Sequence, residues 1–348
     1  MARKLLWASL ALAPLAIALH YAAEMGDVGE FVVSAAALIP LAWLIGEATE
    51  HAAEHTGPGV GGFLNATFGN APELIIALFA VADGLPEVVR GSITGSIVSN
   101  LLLVLGFAVI LGGEQPLDRR SLLVQLSMVL VGIAFFLVPS IPGWEGNPER
   151  HSLAVATIPI AALLLALYLA ATATNLRRHR RLHAASDAGP ATGWSLPLAL
   201  ATLTAATAAT ALVSEILVGS LESFADAAHL SEFFIAAVIV AIVGNAAEHG
   251  GAMVIARRGK IRLASEIAIS SSAQVALLVA PVVALASWVI EPALPLSFRP
   301  VEIATMGGSA LLVAILVADG KGTRREGLLM LAAFVAVAVG YYVSGDRS

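Results

Sequence analysis

The chain has 348 residues, of which 58% are hydrophobic and only 13% are charged, and its mean hydropathy is +0.86. A soluble protein of this length would carry about a quarter charged residues, so the composition excludes a soluble domain and predicts a polytopic, all-α membrane protein. The chain has no cysteine, which excludes disulfides and thiol chemistry, and its net charge of −6 says little about partners because charge in such a chain sorts by membrane side.

The apolar segments predict eleven membrane-spanning helices, since a span needs about 20 mainly apolar residues. They cover residues 5–23, 30–54, 62–82, 88–111, 121–139, 152–174, 195–220, 232–256, 262–290, 300–318 and 326–344. The first resembles a signal peptide in its basic start. We expect a retained helix instead, because no small-residue cleavage site followed by a soluble domain is evident.

The basic residues support this count and set an orientation. With the N-terminus in the cytoplasm and alternating spans, fifteen basic residues fall inside and four outside, as the positive-inside rule requires. The inner set is Arg3, Lys4, Arg119, Arg120, Arg177, Arg178, Arg180, Arg181, Arg257, Arg258, Lys260, Arg262, Lys321, Arg324 and Arg325. The outer set is Arg90, Arg150, Arg299 and Arg347. We expect a multi-pass protein of a prokaryotic plasma membrane.

An internal repeat organises the chain. Residues 69–73, Gly-Asn-Ala-Pro-Glu, return 175 positions later as residues 244–248, Gly-Asn-Ala-Ala-Glu. The longest polar gap separates five spans from the next five, so the predicted division is an extra N-terminal helix in 1–29, a first repeat in 30–174, a cytoplasmic linker in 175–194 and a second repeat in 195–348. Because the two motifs lie in spans of opposite direction, the five-helix repeats are predicted to be inverted, as in many secondary transporters.

Further polar residues match between the halves. Ser96 and Ser271 each follow the motif glutamate by 23 residues, and Asn100 and Gln274 follow it by 27 and 26. The alignment also pairs Glu47 with Glu215 and Glu54 with Glu222. The matched polar positions therefore predict one shared site.

A carboxylate inside an apolar span is costly and indicates a functional site. The predicted cation and proton site comprises Glu73, Glu248, Asn70, Asn245, Gly69, Gly244, Ser96, Asn100, Ser271 and Gln274, with Glu73 and Glu248 as the metal ligands. Gly69 and Pro72 are expected to weaken their helix and to free a carbonyl near Phe68. Carboxylates, amides, hydroxyls and carbonyls are hard oxygen ligands, which suit Ca²⁺.

The same carboxylates predict a coupling mechanism. Without a cation, two facing buried glutamates cannot easily both ionise, because desolvation and like-charge repulsion oppose it, so they take up protons. A divalent cation expels those protons, and this competition is the basic requirement of an antiporter. Ca²⁺ and H⁺ are then transported substrates, and no cofactor is expected.

These motifs carry a family resemblance. Residues 65–75 (Asn-Ala-Thr-Phe-Gly-Asn-Ala-Pro-Glu-Leu-Ile) and 95–106 (Gly-Ser-Ile-Val-Ser-Asn-Leu-Leu-Leu-Val-Leu-Gly) resemble the first repeat of the calcium/proton exchangers, and residues 243–249 (Val-Gly-Asn-Ala-Ala-Glu-His) resemble the second. The resemblance implies export of cytosolic Ca²⁺ in exchange for H⁺, with Glu73 and Glu248 as central ligands. Pro72 is instead similar to the Pro-Glu of the related sodium/calcium exchangers. Sodium coupling and transport of Mn²⁺ or K⁺ therefore remain alternatives.

Acidic residues near the ends of two spans are candidates for ion-gathering vestibules. Glu47, Glu50 and Glu54 share one face at the cytoplasmic end of the second span, and Glu215 with Glu222 would form the outer counterpart. Such clusters concentrate cations by focusing the local field, and the alternative is a solvated helix end.

Other readings remain open beside the transporter. Interhelical hydrogen bonding is the alternative for the amides and hydroxyls, and His249 is either packing or a proton relay. Residues 51–55, His-Ala-Ala-Glu-His, match an inverted zinc-protease pattern, so an intramembrane metalloprotease is the hypothesis from another class. The arginines of 177–181 are interpreted as a positive-inside anchor to the lipid bilayer, not a nucleic-acid site. Helix packing allows several oligomeric states, a homo-oligomer among them.

Overall fold

The computed structural model describes residues 2–22, 26–183 and 193–347, and most of them are helical. The first eight helices are α1 (Ala2–Ser9), α2 (Leu12–Ala22), α3 (Asp27–Phe68), α4 (Ala71–Ala82), α5 (Pro86–Val98), α6 (Leu105–Gly112), α7 (Arg119–Gly143) and α8 (His151–His183). The others are α9 (Leu196–Gly219), α10 (Leu221–Ala228), α11 (Glu232–Phe234), α12 (Ala241–Gly244), α13 (Ala246–Arg257), α14 (Ile261–Gln274), α15 (Ala280–Ile290), α16 (Pro300–Leu316) and α17 (Arg324–Ser344). Three π-helical segments (Ser99–Val104, Ile235–Val240 and Val275–Val279) and two short strands, β1 (Gln115–Pro116) and β2 (Lys321–Gly322), complete the described chain.

The structure confirms an all-helical membrane protein. In the described residues, eight helical stretches are long and apolar enough to cross a membrane. A ninth is reached if α10 and the helix Glu232–Gly244, which meet at a bend of 110°, form one span. The apolar helices α4 and α16 are shorter than a full span.

The long helix α3 folds back on itself. A Cβ placed on Gly61 would lie 2.9 Å from the Cβ of Ala53, whereas residues eight apart in a straight helix are separated by about 12 Å. The chain therefore reverses between these residues, and α3 has two limbs. The predicted separation of the second and third spans falls at this reversal, although its residues are helical where a loop was predicted.

Two other predicted helices differ from the observed ones in where they begin, end or break. The first predicted helix, 5–23, is interrupted at Leu10 and Ala11, because Pro14 in the first turn of α2 has no N–H to continue the ladder from α1. The sixth was predicted to end at residue 174, but α8 continues to His183. The first part of the predicted linker 175–194 is therefore helical, and its residues 184–192 lie outside the described residues.

The two motif spans break at equivalent positions. Asn70 (φ −101°, ψ 16°) and Asn245 (φ −87°, ψ 9°) leave the helical conformation, and the twelve-residue helices α4 and α13 begin directly after them, 175 positions apart. The prediction of an unbroken helix over 232–256 was wrong. Pro72 was expected to cause the first break, but it lies in the first turn of α4, where a missing N–H costs little. The second motif breaks with Ala247 at that position.

Close helix packing fixes the centre of the protein. A Cβ on Gly95 would collide with the backbone carbonyl of Ala237, and a Cβ on Gly91 would lie 2.8 Å from the Cβ of Ala236. Only glycine allows α5 and the π-helical segment Ile235–Val240 to approach this closely. The contact holds the helix that carries Ser96 against the helix that carries the second motif.

A buried charge network joins the N-terminal ends of two helices to a loop. Arg90 is 1% exposed and donates from Nη2 to Glu87 (2.5 Å) and from Nη1 to Glu149 (2.6 Å). Arg299 donates from Nε to the buried Glu302 (2.6 Å) and faces Glu87 at 3.9 Å. These charges are compensated by one another, so they bind the ends of α5 and α16 and the loop before α8 together.

Aromatic rings join the N-terminal helix to both halves. The indole ring of Trp7 meets that of Trp43 at 5.4 Å between centroids, edge to face, and that of Trp194 at 6.2 Å. Trp7 lies in α1, Trp43 in the first limb of α3, and Trp194 just before α9. The extra helix is thus attached where the two halves meet.

The glycine contact at α5 makes a testable prediction. We expect Gly95→Ala to lower the apparent melting temperature by several degrees, because the new methyl group must push against backbone, and overpacking costs about 1–3 kcal/mol. The matched control is Gly308→Ala in α16, where a Cβ meets nothing within 4 Å. The control should leave the melting temperature of the purified protein unchanged or slightly raised. Equal melting temperatures for both variants would contradict the close contact.

Candidate cation site

The two helix breaks face each other in the middle of the fold. Asn245, Asn70 and Glu73 are 0%, 1% and 3% exposed, and the carboxylate oxygen Oε2 of Glu248 is also buried. Cγ of Glu73 lies beside Gly244, and Oε1 of Glu248 lies beside Gly69, so the two motifs meet. The structure thus brings together the residues that the repeated motif singled out.

Each glutamate lies over the glycine of the opposite motif. The Cγ of Glu73 is 3.5 Å from the position that a Cβ on Gly244 would take, and Oε1 of Glu248 is 3.4 Å from that of a Cβ on Gly69. Each glutamate side chain therefore packs beside the glycine of the other motif. The arrangement is reciprocal, so both motifs contribute in the same way.

The amides pair across the two halves in the same reciprocal way. Asn100 donates from Nδ2 to Oδ1 of Asn245 (3.2 Å) and to the hydroxyl of Ser271 (2.9 Å). Asn245 donates to the hydroxyl of Ser96 (2.9 Å). Asn70 donates to Oε1 of Gln274 at 2.5 Å. In both cases a motif asparagine pairs with the amide that follows the other half's glutamate by 26 or 27 residues.

Several buried oxygens at the site lack a fixed donor. Within the described part of the chain, neither carboxylate oxygen of Glu73 has a hydrogen-bond partner outside its own residue, and Oε2 of Glu248 and Oδ1 of Asn100 have none. A buried acceptor without a partner is costly, so this cluster is suited to receive a ligand that accepts electron pairs. Two carboxylates with neutral amide and hydroxyl oxygens suit a divalent cation that prefers oxygen ligands.

His249 follows Glu248 and lies at the edge of this site. It is 5% exposed, and its Nε2 has no hydrogen-bond partner among the residues that the structure describes. Both interpretations given above, packing and a proton relay, are compatible with this position.

The predicted vestibule residues lie at helix ends. Glu50 and Glu54 are exposed and Glu47 is half-buried at the end of the first limb of α3. Glu215 is exposed on α9. Glu222 lies beyond α9, in α10, and the hydroxyl of Ser220 donates to the carbonyls of Ile216 and Leu217 where α9 ends.

The zinc-protease pattern has a structural explanation. Nε2 of His55 lies 2.7 Å from the carbonyl oxygen of Trp194, and the ring of His51 packs against the same indole at 4.9 Å. Both histidines hold the entry to α9 against α3. In the described segments, no group of three histidine, aspartate or glutamate side chains is placed to hold a metal ion.

The sequence interpretation missed two features near the site. Ser272 donates its hydroxyl to the carbonyl of Ile97 (3.2 Å), which joins the two polar segments directly. Buried Arg90 and Glu302 were not selected, although a charge inside a predicted span was the signal that identified Glu73. Applied to every predicted span, the rule that a charged residue inside a span is a candidate would have selected Arg90 and Glu302 as well.

Comparisons with known proteins agree with this architecture. The sequence profile of the family described as sodium/calcium exchanger protein matches residues 27–177 and 198–343. The chain is 34% identical over 359 residues to the Ca²⁺/H⁺ antiporter of Synechocystis sp., covering 96% of this chain and 95% of the relative. It is 37% identical over 324 residues to the Ca²⁺/H⁺ antiporter ChaA of Bacillus subtilis, covering 90% and 92%. The solved structure of native YfkE superposes with a TM-score of 0.83 at 34% identity, covering 99% of this chain and 100% of YfkE.

Fold and site therefore define a multi-pass membrane transporter, not an enzyme. The chain belongs to the sodium/calcium exchanger family.

Gly69 and Gly244 are predicted to differ in how well they tolerate substitution by alanine. A Cβ on Gly69 would lie 2.6 Å from the backbone oxygen of Asn65, whereas the nearest atom to a Cβ on Gly244 is at 3.5 Å, an ordinary contact. We expect Gly69→Ala to reduce transport about tenfold or more, because the helix end beside Glu248 must shift. Gly244→Ala should retain most activity. The measurement is transport in vesicles, normalised to inserted protein, and equal losses in both variants would contradict the geometry.

Proposed function

We propose that this protein is a secondary active Ca²⁺/H⁺ antiporter. The observation that carries the proposal is the pair of buried carboxylates, each seated over the opposite motif's glycine and lacking a fixed cationic partner in the described chain. The names of relatives that match over nearly the whole chain support the choice of Ca²⁺ and H⁺. Glu73 and Glu248 are the proposed metal ligands, supported by the amides and hydroxyls of the cross-paired network.

The proposed architecture has eleven spans in two inverted five-helix repeats. The equal lengths and the spacing of α4 and α13 support it, as do the fold-back of α3 and the π-helical segments that follow Val98 and Gln274. The family profile also leaves out residues 1–26 and 178–197, which supports an extra N-terminal helix in 1–29 and repeats in 30–174 and 195–348 around the linker 175–194.

Coupling follows from competition for the two carboxylates. In the cation-free site, desolvation and the mutual repulsion of Glu73 and Glu248 favour their neutral, protonated forms. A divalent cation neutralises both carboxylates and displaces the protons. Either the protons or the cation compensates the negative charge. The occupied site is therefore neutral or nearly neutral, which is the form with the lowest desolvation energy when it is closed off from water.

Access to the site is proposed to alternate between the two membrane sides. Asn65 before the first break and Gly250 after the second motif are exposed, whereas Ala71, Ala77 and Ala80 of α4 are buried. This asymmetry favours access from the face that bears the linker. With the positive-inside orientation, that face is cytoplasmic, so Ca²⁺ would enter from the cytosol and be exported. Glu47, Glu50 and Glu54 would gather cations there, and Glu215 and Glu222 would act on the opposite face.

The first experiment tests whether Ca²⁺ transport is coupled to protons or to sodium. Reconstituted or everted vesicles with an imposed pH gradient and no sodium should take up Ca²⁺, and uptake should collapse when the gradient is dissipated. Uptake that appears only with sodium would overturn the proton-coupled proposal in favour of the sodium-coupled alternative. Competition by Mn²⁺ or K⁺ in the same assay measures the selectivity.

The substitution Glu73→Gln should abolish this uptake, because a neutral amide removes both the proton carrier and half of the ligand charge. The matched control is Glu145→Gln, which changes an exposed glutamate in the loop after α7. Both variants should reach the membrane in similar amounts, as measured by immunoblotting. Normal uptake by Glu73→Gln would refute the assigned site.

Competition itself is tested by binding. We expect the purified protein to bind Ca²⁺ at least about tenfold more weakly at pH 6 than at pH 8, and to release protons into a weakly buffered solution as Ca²⁺ binds. The direction follows because protonated carboxylates cannot ligate the cation. A pH-sensitive dye and calorimetry measure both quantities. Binding without proton release would refute competition.

A further inference from the structure

Three loops on one face of the protein converge on the strand pair. They are residues 112–120, 257–263 and 319–326, and together we call them the clasp. Gln115 pairs with Gly322 and Pro116 with Lys321 in the antiparallel register of β1 and β2. Arg262 donates from Nε to the carbonyl of Pro116 at 3.2 Å, which attaches the third loop. The clasp therefore joins segments that are far apart in the chain.

Apolar contacts hold the clasp closed beneath these bonds. The buried side chain of Ile261 lies 3.0 Å from the position of a Cβ on Gly112 and 3.6 Å from that of a Cβ on Gly322. The N–H of Leu117 donates to the carbonyl of Gly320 at 2.8 Å. The loops are thus held in fixed mutual positions, and so are the charges that they carry.

The clasp concentrates positive charge. Nine basic side chains, all exposed, lie on its three loops: Arg119, Arg120, Arg257, Arg258, Lys260, Arg262, Lys321, Arg324 and Arg325. The same loops carry four acidic residues, Glu114, Asp118, Asp319 and Glu326. In the described chain none of the nine basic groups has a carboxylate within 4 Å. The positive charge is therefore not compensated within the protein.

Most of the acidic side chains are already engaged with backbone. Asp118 accepts from the N–H of Ser121 (3.1 Å) and Asp319 from that of Lys321 (2.9 Å). Glu326 accepts from the N–H and the hydroxyl of Thr323 at 2.7 and 2.8 Å. These carboxylates cap turns and helix starts, so they are held away from the basic groups.

Exposed leucines place the clasp at the edge of the bilayer. Leu111, Leu263, Leu328 and Leu329 are between 40% and 54% exposed and adjoin the basic residues in sequence. Exposed leucines beside uncompensated arginines fit a surface that faces acyl chains on one side and head groups on the other. A soluble acidic partner would meet the charge but would leave these leucines in water.

We propose that the clasp is a docking site for the phosphate head groups of anionic phospholipids in the adjacent leaflet. Basic groups near a membrane surface attract such lipids, and pockets between spans recognise their head groups. A bound head group bridges loops from both halves of the chain, so it stabilises their association. The site is independent of the ion transported.

The test uses the full-length protein in a neutral detergent. Phosphatidylglycerol should raise the apparent melting temperature by several degrees, whereas phosphatidylcholine and inorganic phosphate should not. The clasp variant combines Arg119→Gln, Arg258→Gln and Lys321→Gln, one substitution per loop. Its half-maximal phosphatidylglycerol concentration should increase about tenfold or more, given the attraction that each basic group supplies near an anionic surface.

The matched control combines Arg177→Gln, Arg178→Gln and Arg180→Gln near the end of α8, which removes the same charge from the same predicted side. It should keep the lipid response of the unmodified protein within about twofold, because those residues lie outside the clasp. An equal loss in both variants would overturn the proposal in favour of a general charge effect. An equal response to inorganic phosphate would replace the lipid by a free anion and would also overturn it.

If the clasp variant fails to fold, a measurement on the unmodified protein still tests the proposal. Raising the salt concentration from 50 to 500 mM screens charges between exposed groups, so it should weaken the response to phosphatidylglycerol severalfold. A response that persists at high salt would refute recognition through the basic groups. Transport is measured separately, so that loss of lipid binding is distinguished from loss of the proposed antiport.

Discussion

The structure depends on two buried carboxyl groups, those of Glu73 and Glu248, which have no cationic partner within the described part of the chain. By contrast, other buried charges have partners of opposite sign: Arg90 contacts Glu87 and Glu149, and Arg299 contacts Glu302. In the described chain, Glu73 and Glu248 receive no such cation. Because an isolated carboxylate in an apolar interior is expensive, the proposed site would take its compensating protons or cation from solution.

The backbone around the site is arranged to meet this requirement. At the breaks at Asn70 and Asn245, two helix ends approach each other. In continuous helices the backbone carbonyls and amides would instead be hydrogen-bonded within each helix. Each carboxylate packs beside the glycine of the opposite motif, and the amides form hydrogen bonds with each other across the halves. The close approach at Gly95 holds α5 against the segment Ile235–Val240, so the oxygens of the proposed site are held in place by backbone packing.

Much of this was predictable from the sequence, and the remainder depends on contacts between distant residues. The repeated Gly-Asn-Ala-x-Glu motif and the polar residues 23 to 27 positions beyond it, which the sequence grouped together, are in contact in the structure. The reciprocal seating of each glutamate on the opposite glycine could not be read from the sequence, since it needs the relative placement of two helices. Pro72 was given too much weight as a helix breaker, because its effect depends on its position within the turn. Hydropathy separated the second and third spans at the reversal in α3, but it could not show that Gly61 packs against Ala53 there.

The aromatic contact at the N-terminal helix has a practical consequence. The chain has five tryptophans, and three of them, Trp7, Trp43 and Trp194, are gathered where α1, the first limb of α3 and the start of α9 meet. Indole emission depends on the packing and hydration of the ring. The intrinsic fluorescence of the unlabelled protein is therefore weighted toward this contact, and it serves as an optical reporter of the packing between α1, α3 and the start of α9.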